Sequence, residues 1–286
     1  MKRLSLLLAV LASTACAPRL YVNVLQPAPV NLGPAKKLAV LESQGRQSAR
    51  EDFLKELNAQ AKNAGYFTVA DKSGEGITVR ITGQSVLASA PPAADEVGLR
   101  IDVVEWSAEK ESQPTREKDK QGNPITKDVW KSRVQVLLTA FNSSGKVFVV
   151  EKVYKGAGEH ENDEDAAIMN AARDVAALVL EDLTPVYVQK AIWLDDTEDA
   201  QRPVIDMARN GDIPKAIEME KELLAKSPNN APAIYNLAVL LDAQGLYKDA
   251  LGYYEQAVKL ADTKELYKEM KAACAQRLAD SEALAN

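Results

Sequence analysis

Apolar residues change their spacing several times along the chain, and each change predicts an element. Leu20, Val22 and Val24 alternate with polar residues within a proline-marked stretch, 16–36, which reads as an extended tether with room for a short edge strand. Leu38 to Leu41 is a continuous apolar run and predicts a buried strand. Ser48 and Glu51 have the spacing of a capping box; Phe53, Leu54, Leu57, Ala61 and Ala64 follow at helical spacing as far as Gly65. Tyr66 to Val69 predicts the next strand, and the alternation of Ile77, Val79 and Ile81 a half-buried one. A loop at Pro91-Pro92 leads to strand residues Leu99, Ile101 and Val103. From Ser112 to Asp128 no alternation survives, and the charged run reads as a solvated loop. Val129 to Phe141, a turn at Asn142-Ser143-Ser144-Gly145, and Val147 to Tyr154 predict an antiparallel hairpin. A second long helix is expected over Asp163 to Leu183, burying Ile168, Ala171, Val175, Leu178 and Val179 and stopped by Thr184-Pro185. Val186, Val188 and Ala191 suggest a last strand. Over 37–195 this order predicts an α+β sandwich, two helices on a mostly antiparallel sheet.

From Thr197 onward the pattern is helical and periodic. Gly211 and Gly245 stand 34 residues apart, and Ala216 and Ala250 keep the same spacing. In the second unit Ile234, Leu237, Ala238 and Leu241 line one helix; Ala250, Tyr254 and Ala257 line the next. This period and these residues resemble the tetratricopeptide (TPR) repeat, a helix-turn-helix unit that stacks into arrays. The first unit, Thr197 to Pro228, departs from the pattern at Pro203, where Leu is usual, and at Glu220, where an aromatic is usual. Lys264 to Ala283 reads as a capping helix covering the array with Leu266, Met270, Ala273 and Leu278. The resemblance implies an all-α array over 197–286 that presents a concave surface to a protein partner. Gly211, Ala216, Gly245, Ala250 and Tyr254 would be its structural residues. Arg209, Asn236, Val239 and Leu240 would be exposed in the groove and hold the partner.

The N-terminus carries a different message. A basic start, Met1-Lys2-Arg3, precedes an apolar run from Leu4 to Ala12 and then Ser13-Thr14-Ala15-Cys16. This is the pattern of a secretory signal over 1–15. Small residues ending at a cysteine resemble the bacterial lipobox, although Ser13 stands where Leu is usual. That resemblance implies cleavage before Cys16 and attachment of lipid, palmitate included, to Cys16; an ordinary signal peptide cleaved after Ala15 is the alternative. Ala17 in place of Asp leans toward the outer membrane, with the protein facing the periplasm.

The strand Lys37-Leu38-Ala39-Val40-Leu41, the helix–sheet–helix order and the Thr184-Pro185 stop resemble bacterial envelope lipoproteins. These are the class of the curli-secretion channel subunit, the penicillin-binding-protein activators and the N-terminal domain of the Tol-system propeller protein. The resemblance implies the fold and an envelope setting. It opens two alternatives to TPR docking: regulation of a peptidoglycan synthase through the α+β domain, or a ring-forming secretion subunit. A channel subunit needs strands apolar at every second position, which the charged run between Ser112 and Asp128 lacks.

Composition narrows the function further. The 286 residues carry a formal net charge of −6 with no basic stripe, which argues against nucleic acid as partner. With Cys16 acylated, the other cysteine, Cys274, has no partner for a disulfide; on its helix it reads as a small core residue. The single histidine, His160, sits among Glu159, Glu161 and Asp163 before a helix, where acids complement the helix dipole. A metal site of His160, Glu161 and Asp163 is the alternative, with nothing fixing a ligand set. Gly45 before a helix start could face an anion, but an ordinary loop explains it as well. No Gly-x-Ser-x-Gly, cysteine–histidine pair or phosphate loop is present. The expectation is therefore no enzyme, no cofactor and no small-molecule substrate, but a partner protein of the cell envelope and a lipid-anchored attachment to the membrane.

Overall fold

The computed structural model describes residues 18–285 apart from 84, 119 and 123. Cys16 and the expected signal segment lie outside the described residues. By its contacts the chain divides into two compact units: residues up to Leu25 together with Tyr187–Asp280, and Gln26–Val186 together with Ser281–Asn286.

The second of these units is an α+β domain. Its five-stranded sheet has the order β3-β2-β6-β7-β8, with β2 Lys37–Gln44, β3 Thr68–Asp71, β6 Glu96–Lys118, β7 Pro124–Phe141 and β8 Val147–His160. β2 runs parallel to both β3 and β6, and β6-β7-β8 is an antiparallel meander, so the sheet is mixed. Helices α1, Gln47–Ala64, and α2, Glu164–Leu183, pack together on one face. Leu38 and Val40 of β2 point into that core with Phe53, Leu57, Val136, Val175 and Val179. Ala39 and Leu41 point the other way, against Val79 and Val86 of a small hairpin, β4 Val79–Thr82 and β5 Ser85–Ala88. Burial on both faces is why β2 reads as an unbroken apolar run. α2 approaches β8 closely at glycines: a Cβ at Gly158 would lie 2.2 Å from the Ala167 carbonyl oxygen, and one at Gly156 2.4 Å from that of Ala171.

Several expectations need correction here. The tether over 16–36 is not free chain. Arg19–Gln26 forms strand β1, and Val30 and Leu32 lie buried in the sheet core, with Val30 N–H donating to the Asp182 carbonyl at 2.9 Å. Ser48 and Glu51 make no capping box: α1 starts two residues earlier, behind Arg46, and Gln47 donates to Glu51 instead, at 2.9 Å. Gly45 is explained by packing, since a Cβ there would lie 2.5 Å from the Val103 carbonyl oxygen. Ala64 and Leu178 are exposed rather than buried.

The largest correction concerns Ser112 to Asp128. It is not a loop: β6 and β7 stay paired from Lys110↔Trp130 through Ser112↔Asp128 to Lys118↔Pro124, beyond the last pair that β8 makes, Trp130↔His160. With both faces in water, such a ribbon needs no apolar alternation, so no period-2 signal marks it. Cross-strand polar pairs line it instead: Ser112 donates to Asp128 at 2.6 Å, and Lys110 meets the same carboxylate at 2.7 Å. Its residues still lack the alternation of a lipid-facing strand.

In the first unit, β1 pairs with β9, Val186–Trp193, as a two-stranded ribbon, so β9 is not the last strand of the five-stranded sheet. A short 3-10 turn, Asp199–Gln201, follows. Five helices follow: α3 Arg202–Arg209, α4 Ile213–Lys226, α5 Ala231–Ala243, α6 Tyr247–Leu260 and α7 Glu265–Ala285, the last belonging to this unit as far as Asp280. Asp212 and Asn230 cap α4 and α5 through their side chains, accepting from Lys215 N–H at 3.2 Å and Ala233 N–H at 2.8 Å. Gly211 and Gly245 hold φ of 91° and 79°, the left-handed conformation that ends α3 and α5. Leu20, Ile192 and Leu194 share one core with Ala216, Leu237, Ala250 and Tyr254. Among the described residues no helix is long and apolar enough to cross a membrane.

Candidate functional site

α5 is the centre of the helical unit. Between Ala231 and Leu241 its only polar side chains are Tyr235 and Asn236, and it is buried continuously from Ala233 to Asp242. A helix that is apolar all round ends up enclosed, and four neighbours enclose this one. α4 and α6 flank it. Tyr267 of α7 stacks on Tyr235, centroids 4.1 Å apart and planes 10° from parallel. The segment after β9 closes the remaining side. Tyr235 Oη donates to the Trp193 carbonyl at 2.7 Å; Asn236 accepts from Asp195 N–H and donates to the Asp195 carbonyl, both at 2.8 Å.

These contacts correct the expected groove. Asn236, Val239 and Leu240 are fully buried and present nothing to a partner. Asn236 does clamp an extended backbone, but it is the chain's own. Of the four expected contact residues, only Arg209 is exposed. The structural residues Ala216, Ala250 and Tyr254 lie in the core. The capping helix also turns a different face from the one expected: Tyr267, Cys274 and Arg277 are buried, while Leu266 and Met270 are only partly so.

A polar network runs through this core. Asn236 donates to Gln201 Oε1 at 2.9 Å. Beside them Glu220, the residue where an aromatic is usual, has no exposed surface and no hydrogen-bond partner for either oxygen. Burial pushes its carboxyl up to about 8, against a weaker pull from the Gln201 and Asn236 amides. Burial also works to raise Asp195, but Lys264, Thr197 and Tyr267 win and hold that carboxyl below its ordinary value. Further along, Arg277 and Asp242 form a buried ion pair, the Arg277 Nε donating at 2.8 Å. Burial likewise pushes the Cys274 thiol up to about 12, and its sulfur lies 3.7 Å from the Tyr247 carbonyl oxygen. A thiol so placed is a packed core group rather than a nucleophile.

What remains open on the helical unit is its rim. One cavity, of about 580 Å³, is lined by Arg19, Tyr21 and Asn23 of β1, by Arg209, and by Ile213 and Ala243. A second, of about 350 Å³, is lined by Lys221, Leu241, Lys248, Gly252, Tyr253 and Gln256. Neither brings together a nucleophile and a base. Among the described residues, no three histidine, cysteine, aspartate or glutamate side chains are placed to hold a metal. His160 ends β8, opposite Trp130.

Residues 207–274 match the tetratricopeptide repeat. The match spans the end of α3 through most of α7, so the period read from Gly211 and Gly245 belongs to a helical array of the kind that serves protein–protein interaction and has no catalytic role of its own. No curated protein matches the chain. Among solved structures, it is similar to a minor lipoprotein from Acinetobacter baumannii at 13% identity, covering 54% of this chain and 97% of that one, with a TM-score of 0.29. The PelC dodecamer from Paraburkholderia phytofirmans is similar at 15% identity, covering 58% and 98%, also with a TM-score of 0.29. At such scores these likenesses carry no argument about function. The sheet unit is thus an α+β fold without a named class, and the tetratricopeptide unit is the functional landmark.

Proposed function

We propose that this is a lipid-anchored, non-catalytic protein of the bacterial envelope whose tetratricopeptide unit docks a protein partner during assembly or scaffolding of an envelope or secretion complex. The observation that carries this reading is the repeat match over 207–274 on a continuous helical array. With the inner side of α5 filled by the chain's own residues 193–201, the docking face is the outer rim of α4 and α6. There the second cavity presents the aromatic Tyr253 beside Lys221, and tyrosine is a residue type that interfaces favour. Lipid on Cys16 and an outer-membrane, periplasm-facing position belong to the same reading and rest on the signal sequence. So does kinship of the α+β unit with the curli-secretion and synthase-activator lipoproteins, which supplies an envelope setting.

Site-specific photo-crosslinking in cells tests it. A crosslinker at Lys221 or Tyr253 should capture a defined envelope protein, and one at Leu87, an exposed residue of the sheet unit, should not. Capture from Leu87 alone would move the function to the α+β unit and favour the synthase-regulator alternative.

A further inference from the structure

The expected tether disappears on folding, and with it the distance between anchor and protein. Pro18 is already held, its carbonyl accepting from Leu194 N–H at 2.7 Å, and β1 starts at Arg19 with Leu20 in the tetratricopeptide core. Two residues of chain reach at most about 7 Å, so lipid on Cys16 would place the β1 end of this unit at the level of the headgroups. The first cavity opens at that strand. Its lining holds two arginines, Arg19 and Arg209, and no acid. Neither arginine has an acidic partner among the described residues. The nearby Asp212 is engaged as the cap of α4. In a chain of net charge −6, two arginines left unneutralised at one cavity call for an anion. Arg19 also lies over two aromatic rings, 5.5 Å from the centroid of Tyr21 and 5.3 Å from that of Trp193. Tyrosine and tryptophan beside arginine are the residues that settle at a membrane–water boundary.

We propose that the cavity walled by Arg19, Tyr21 and Arg209 seats the phosphate headgroup of an anionic membrane lipid, so that the tetratricopeptide unit lies against the bilayer that holds Cys16. The volume, about 580 Å³, is within the range of small-ligand sites. This rests on the lipid-anchor reading. It assigns Arg209 to lipid rather than to the partner and leaves the α4–α6 rim for docking.

The test uses full-length acylated protein in vesicles of phosphatidylcholine with phosphatidylglycerol. A polarity-sensitive fluorophore is attached at Asn23→Cys or, as control, at Leu260→Cys; buried Cys274 is not labelled. The label at 23 should be shielded and quenched by headgroup-labelled lipid, and the label at 260 should not. Arg19→Glu with Arg209→Glu should abolish that shielding. With unacylated Cys16→Ser protein, Arg19→Ala and Arg209→Ala should each cut partition onto phosphatidylglycerol vesicles about fivefold. Mass spectrometry of Cys16 separates the two ideas. A chain without lipid removes the anchor reading and this proposal together. An acylated chain whose label at 23 is as open to water as that at 260 overturns this proposal alone. Binding of poly-glutamate through the same arginines, with no preference for phosphatidylglycerol, would also overturn it, assigning the cavity to acidic protein segments.

Discussion

Around the five-stranded sheet the helix-facing core is a cluster of mostly Val, Leu, Ile, Ala and Phe, the unit's buried polar residues are Ser43, Asp102, Ser132 and Thr139, and ion pairs such as Lys37–Asp95 and Lys131–Glu111 lie at the surface. Inside the tetratricopeptide unit, Asp195, Gln201, Glu220, Asn236, Asp242 and Arg277 are all buried. The sheet unit depends on shape, with the alanine face of α2 lowered onto Gly156 and Gly158 of β8. The helical unit depends on charge and hydrogen-bond pairing, because its central helix must hold the chain's own segment 193–201 as well as its neighbours. Changes of volume should therefore injure the sheet unit, and changes of charge or pH the helical unit.

The sharpest break would come at Asp242. Asp242→Ala leaves Arg277 buried and unpaired and removes the acceptor of Tyr254 Oη. Urea unfolding should show a loss of about 3–5 kcal/mol in the helical unit. Joint replacement with Asp242→Leu and Arg277→Met should recover most of it; a double variant no better than the single one would mean the pair is a net stabiliser.

Next in size is the pH response of Glu220. Its native pKa, about 8, lies above the unfolded value. The folded chain therefore keeps a proton that the unfolded chain loses between roughly pH 5 and 8. Stability of the helical unit should fall by about 1.4 kcal/mol per pH unit across that window and level off above it. Glu220→Gln should flatten the curve. A wild-type unit equally stable at pH 6 and pH 8 would mean that Glu220 ionises without cost.

Gly158→Ala puts the comparison to the sheet unit. The added Cβ would collide with the Ala167 carbonyl. The expected cost is about 1–3 kcal/mol, seen as a lower Tm for the sheet unit, with the helical unit's transition unmoved. The smallest effect is at the repeat turn: Gly245→Ala forces a side chain to φ 79° and should cost about 1 kcal/mol, with no steric clash since nothing lies within 4 Å of the new Cβ.

Much of this was legible beforehand. Leu38 to Leu41, the Phe53–Ala61 face, the hairpin at Asn142–Gly145 and the 34-residue period each carried a local signal. Where sequence and structure part, the local signal is absent or shared between two elements. The hairpin extension from Ser112 to Asp128 has water on both faces and so no periodicity. Repeat geometry alone puts Asn236, Val239 and Leu240 on a groove, whereas α5's uniform apolarity marks a helix enclosed on every side. Glu220 stood out as a misfit, but its burial and orphaned oxygens could not be read from spacing.

The sequence by itself determined most of the elements, the helical repeat and the acidic character of the chain, because those follow from residue spacing and composition within short windows. Only the tertiary structure decided that β1 leaves the tether to pair with β9, that residues 193–201 occupy the inner side of the repeat, and that Arg19 and Arg209 share one cavity. These are meetings between residues far apart in the chain. What fixes them is the burial and hydrogen bonding that one segment finds in another, which no local pattern records.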